Sequence, residues 1–97
     1  MSKRVFVAAQ DLFFRSKLQG LVQAAGGEVT RDEPYDLAVV ELGGAVVEER
    51  IRGLVGRGVP VLAFGSHVKA DELRRARALG ARAVPNSEIE TALRALL

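Results

Sequence analysis

Tyr35-Asp36-Leu37-Ala38-Val39-Val40-Glu41-Leu42-Gly43-Gly44 is the stretch whose reading decides the fold. From Leu37 to Val40 the run is unbroken and apolar, then it ends in one acid and two glycines. A strand covered by helices on both faces has this composition, because neither face meets water. In an open parallel sheet, ligands and chemistry collect at the carboxyl ends of the central strands. Glu41 therefore occupies the position whose role most needs explaining.

Working back toward the amino end, Arg4 to Ala9 (Arg-Val-Phe-Val-Ala-Ala) reads as a buried strand of β-branched and aromatic residues. It stops at Gln10-Asp11. Asp11 is a good N-cap, and Phe14, Leu18, Leu21, Val22 and Ala25 follow at helical spacing until Gly26-Gly27 ends the helix. Glu28-Val29-Thr30 is a short second strand. The connector that follows, residues 31–36, carries Pro34 and several charges and is too short for an ordinary parallel crossover, which contains a helix. It crosses extended or as a single turn, so the helix expected between the second and third strands is shortened or missing.

Working forward, Val46 or Val47, Ile51, Leu54 and Val55 face inward on a helix from about Ala45 to Arg57, closed by Gly56 and Gly58. Val59 to Phe64 is the fourth strand, with Gly65-Ser66-His67 as its carboxyl-end loop. A helix from about Ala70 to Leu79 turns Leu73, Ala76 and either Leu79 or Ala78 inward and Arg74, Arg75 and Arg77 outward, and it stops at Gly80. Ala81 to Pro85 is the last strand. Ser87 at N-cap and Glu90 at N3 form a capping box ahead of a final helix that buries Ile89, Leu93 and Leu96 or Leu97.

Strands alternating with helices at this spacing imply a three-layer α/β domain with a parallel sheet. For five short strands, numbered in chain order, right-handed crossovers favour the flavodoxin-like order 2-1-3-4-5. A length of 97 residues fits one domain spanning 1–97 and leaves no room for a second. The sequence has no cysteine and one histidine, which removes disulfides and thiol chemistry and argues against a transition-metal site; no metal or cofactor is expected. No apolar run is long enough to span a membrane, and the apolar stretch after the basic Met1-Ser2-Lys3-Arg4 is too short for a signal peptide, so a cytoplasmic protein is expected. Residues 1–50 hold six bases and eight acids, residues 51–97 eight bases and four acids, which makes the second half the basic one.

The stretches Val5–Arg15, Tyr35–Glu41, Val59–Gly65 and Gly80–Asn86 together make the chain resemble, over its whole length, the receiver domain of two-component response regulators, the CheY-like superfamily. The resemblance implies that an acidic pair holding Mg²⁺ would fall on Ala9 and Gln10, the phosphoacceptor on Glu41, the phosphate-contacting hydroxyl on Gly65 and the lysine on Asn86. None of these residue types is preserved, and the aromatic switch residue falls on Ala83. A shift of one residue would bring in Asp11 and Ser66 but no lysine. Phosphoryl transfer needs a metal to neutralise charge, and Mg²⁺ needs carboxylate oxygens, so the resemblance implies a degenerate pseudo-receiver and no enzyme. Glu41 then either imitates a permanently phosphorylated Asp or is a structural acid at a strand end.

Other features stand beside this reading. Ser66 and His67 are a nucleophile and a base by type, but adjacent residues point apart and a loop or N-cap role suits them better. Gly43 and Gly44 before a helix, with Asp11, Ser66 and His67, are candidates for binding a phosphate or nucleotide, without a dinucleotide or P-loop fingerprint. Arg74, Arg75, Arg77 and Arg82 are candidates for an interaction surface toward an acidic protein partner or, less suitably given the weak net charge of +2, a nucleic acid. Phe13 lies off the apolar stripe of its helix. The expected function is a stand-alone module acting by phosphorylation-independent protein–protein interaction in signalling or regulation, a homodimer being one form of that. The alternatives are small-ligand binding at the strand ends and nucleic-acid binding through the arginines.

Overall fold

The computed structural model describes residues 2–97. Five parallel strands, β1 (Arg4–Ala8), β2 (Glu28–Val29), β3 (Leu37–Glu41), β4 (Val61–Gly65) and β5 (Arg82–Pro85), lie in the order 2-1-3-4-5. The helices are α1 (Leu12–Ala24), α2 (Ala45–Gly56), α3 (Ala70–Ala78) and α4 (Ile89–Leu96). β3 is the middle strand, and all four of its residues from Leu37 to Val40 are buried, as its unbroken apolar composition requires.

Successive strand residues point to opposite faces, which divides the core in two. Val5, Val7, Val39, Leu62 and Phe64 pack under α1 and α4, against Leu18, Val22, Ile89 and Leu93. Ala38, Val40, Ala63 and Ala83 pack on the other face, under Ile51 and Leu54 of α2 and Leu73 and Ala76 of α3. The second face is built on alanines, so its helices sit close to the sheet. Gly80, at φ +104°, ends α3 where an added Cβ would come within 2.9 Å of Val55 on α2.

The crossover between β2 and β3 contains no helix. Val29 at the end of β2 and Leu37 at the start of β3 both pair with Val5 of β1, so the two ends of the connector are level and about two strand spacings, roughly 10 Å, apart. The seven residues 30–36 can cover roughly 23 Å when extended. A short link suffices because β2 turns back after two residues. The connector is pinned by Arg4, whose guanidinium donates to the carbonyls of Pro34 (2.9 Å) and Asp32 (2.9 Å) and to Glu28 Oε2 (3.0 Å), while the backbone N–H of Arg4 donates to Asp36 Oδ2 at 2.7 Å. Tyr35 then stacks on Phe6, ring centroids 5.0 Å apart, and donates its hydroxyl to the Arg31 carbonyl.

Several local expectations need correction. Ser87 does not cap the last helix: a 3-10 turn over Asn86–Glu88 runs directly into α4, so Ser87 lies inside the turn and Glu88 at the cap position makes no side-chain bond. Burying Ile89 sets the helix direction and overrides the capping box. Ala25 is exposed at the C-cap, where the helix has already left the sheet. Gly65 is the last residue of β4 and not part of the loop. Of the paired choices, Val47 and Leu79 face inward while Val46 and Ala78 are exposed, and Leu96 and Leu97 are both half-buried.

Candidate functional site

Glu41 is the last residue of β3, in register with Phe64 of β4. Its arm crosses to the loop after β1, where Oε1 accepts the backbone N–H of Gln10 (2.8 Å) and of Asp11 (3.0 Å). Asp11 caps α1 as expected, its Oδ1 accepting from the N–H groups of Phe13 (2.9 Å) and Phe14 (3.2 Å). Two carboxylates thus satisfy four donors around the amino end of α1, where the helix dipole favours negative charge. One oxygen of each is engaged by backbone N–H groups. Glu41 is half-buried, Ala9 is buried and Gln10 exposed, so position 41 has no acidic companion from residues 9 and 10.

The other positions brought to this end of the sheet are also filled by packing. Leu42 leans across Gly65, where an added Cβ would meet Leu42 Cβ at 3.2 Å and Cδ1 at 3.3 Å. A glycine at 65 and a leucine at 42 are therefore one steric unit. Asn86, half-buried, opens the turn that follows Pro85, itself paired with Gly65. Ser66 Oγ accepts the Val68 N–H at 3.3 Å and its carbonyl accepts from Lys69, which folds residues 66–69 into a turn ahead of α3. His67 is exposed, and among the described residues no hydrogen bond joins it to Ser66. Gly44 is the N-cap of α2 at φ +97°, a conformation that favours glycine, whereas Gly43 borders open space.

The arginines expected to form a surface are exposed but mostly engaged. Arg74 pairs with Asp71 one turn earlier, and Arg75 Nε donates to Glu48 Oε2 of α2 at 2.7 Å. That hydrogen bond and the charge of Glu48 raise the Arg75 pKa above its ordinary value, so the guanidinium stays charged throughout the physiological range. Arg77 donates to the Ala83 carbonyl through Nη2 (2.7 Å) and Nε (3.2 Å), covering the outer edge of β5. Arg82, exposed on β5, has no ion-pair partner among the described residues.

A groove of about 560 Å³ runs from Glu41 and Gln10 along β1 to the connector, and sequence reasoning did not place it. The signal was present. With no helix between β2 and β3, Phe6 and Ala8 project from a face left without its usual cover; Tyr35 covers only part of it. Arg15 of α1, Arg31 of the connector and Arg50 of α2 line the groove, Arg50 lying 5.8 Å above the Phe6 ring.

Solved structures share this architecture. The chain is similar to the chemotaxis protein CheY4 of Vibrio cholerae, with a TM-score of 0.77, 14% identity and 100% of both chains covered. It is also similar to a CheY-like response regulator receiver domain of Methanospirillum hungatei JF-1, with a TM-score of 0.74, 13% identity, and 96% of this chain and 94% of that one covered. The CheY-like protein TadZ of Pseudomonas aeruginosa PAO1 matches with a TM-score of 0.73 and 18% identity over 99% of this chain and 100% of that one. At these identities the likeness is one of fold: the chain has the CheY-like receiver fold. No protein-family profile matches the sequence, and no curated protein matches it.

Proposed function

We propose that this receiver-fold chain acts in signalling or regulation by binding another protein, and that it does so without being phosphorylated. The observation that carries this reading is the position of the Glu41 carboxylate, whose Oε1 is held by the Gln10 and Asp11 N–H groups. An oxygen placed there ties β3 to the β1–α1 loop. A phosphoacceptor needs its carboxylate free to attack and a metal to neutralise the incoming charge, and the acid at 41 has Ala9 and Gln10 where metal-holding acids would stand. Asp11, the other carboxylate nearby, is committed to its helix.

On this reading Glu41 fixes one conformation, the enzyme role is absent, and the protein works in the cytoplasm. Among the described residues no helix is long and apolar enough to cross a membrane. The contact surface is the face of α3, β5 and α4, with the exposed Arg82 at its centre, and a second copy is one partner it suits. Incubation with acetyl phosphate and Mg²⁺, followed by intact-mass and peptide mass spectrometry, tests the central claim. No phosphorylated species is expected; a labelled Glu41 or Asp11 would overturn it.

A further inference from the structure

The distribution of unpaired arginines singles out the groove over β1. Arg4, Arg52, Arg57, Arg74, Arg75 and Arg94 each sit within 4.0 Å of a carboxylate, and Arg77 bonds a backbone carbonyl. Among the described residues this leaves Arg15, Arg31, Arg50 and Arg82, and three of those four line one groove. They come from three separate elements, α1, the connector and α2, so only the fold brings them together. The one carboxylate lining the groove is Glu41, already bonded to two N–H groups. The groove therefore carries an excess of positive charge that the protein itself does not neutralise.

We propose that this groove binds a nucleoside diphosphate. Guanidinium groups fit phosphate oxygens through paired N–H donors and are weakly hydrated, which suits them to a partly covered site. A terminal phosphoryl group brings a charge of about −1.5 to −2 and the inner phosphate of a diphosphate about one more, so together they match three guanidiniums where a single carboxylate would not. The volume of about 560 Å³ lies within the range of small-ligand sites. The groove is also amphipathic: Phe6, Tyr35 and Val47 offer an apolar wall for a ring, and Gln10 and Gln19 offer polar groups to orient it. The site exists because the helix between β2 and β3 is replaced by residues 30–36; it reaches Glu41 at one end, but its chemistry is reversible anion binding by Arg15, Arg31 and Arg50 and not phosphoryl transfer to position 41.

The test is isothermal titration of the unphosphorylated chain, without Mg²⁺, against ADP, GDP, CDP and UDP. At least one is expected to bind, with pyrophosphate alone and the matching nucleoside alone each at least tenfold weaker. Arg31→Ala and Arg50→Ala are each expected to weaken binding tenfold or more with circular dichroism unchanged, and Arg82→Ala, which removes the unpaired arginine outside the groove, to leave it intact. No heat or saturation with any of the four at millimolar concentration overturns the proposal. So does pyrophosphate binding as tightly as the best nucleotide, or equal loss with Arg82→Ala.

Discussion

A carboxylate at the end of a central strand can serve chemistry or structure, and at Glu41 the length of the arm decides between them. Glutamate has the reach to place Oε1 at 2.8 and 3.0 Å from two N–H groups on the neighbouring loop. Aspartate, one methylene shorter, keeps the charge but not the contact. Glu41→Ala should cost about 1–2 kcal/mol, less than the upper range for bonds to charged groups because the donors, on the exposed residues Gln10 and Asp11, regain water. Glu41→Gln, which keeps the acceptor and loses the charge, should cost about half of that, and Glu41→Asp nearly as much as Ala. Midpoints of urea unfolding at constant m-value give the ordering. An aspartate variant as stable as the parent would show that the two bonds contribute nothing and that position 41 is free for another role. Gly65 follows the same logic: a hydroxyl-bearing side chain there would bring its Cβ within 3.2 Å of Leu42 Cβ, so Leu42 must shift to admit it.

At the scale of elements, the connector is where this chain departs most from a regular alternation of strand and helix. Residues 30–36 have little buried apolar surface of their own, and Tyr35 on Phe6 is their main packed contact. They keep their course because one guanidinium forks to two of their carbonyls and to Glu28, while Asp36 closes on the Arg4 backbone. Lysine preserves the charge but cannot make that fork. Arg4→Lys should therefore destabilise the fold by about 1–2 kcal/mol, discounted for an arginine side chain that is 31% exposed. Amide exchange should speed up first at Thr30, whose N–H bonds the Val5 carbonyl, and at Asp32, whose N–H bonds Thr30 Oγ1. Exchange that stays slow at both amides in the lysine variant would mean that Tyr35, not Arg4, holds the connector.

For the molecule as a whole, the layers, the strand order and the missing helix were legible in the sequence, because an apolar run such as Leu37–Val40 admits few alternatives once strands and helices alternate. The site was legible in part. Which residues meet at the carboxyl ends follows from topology, but the bonds of Glu41 and the packing of Leu42 on Gly65 depend on side-chain reach, which no spacing encodes. The charge pattern misled in a similar way. Eight bases against four acids in residues 51–97 suggest a basic face, yet Arg74 and Arg75 are matched by Asp71 and Glu48, and Glu48 belongs to the other half of the chain. Folding thus removes much of the field that a linear count implies, since close ion pairs present little net charge to a distant polyanion. This leads to an expected outcome for nucleic acid. On immobilised duplex DNA the chain should elute below about 0.15 M salt, and Arg74→Glu with Arg75→Glu should hardly move its position. An arginine that touches a phosphate adds about one unit to the slope of the salt dependence, so a clear shift to earlier elution in the double variant would show both arginines available to DNA despite their partners.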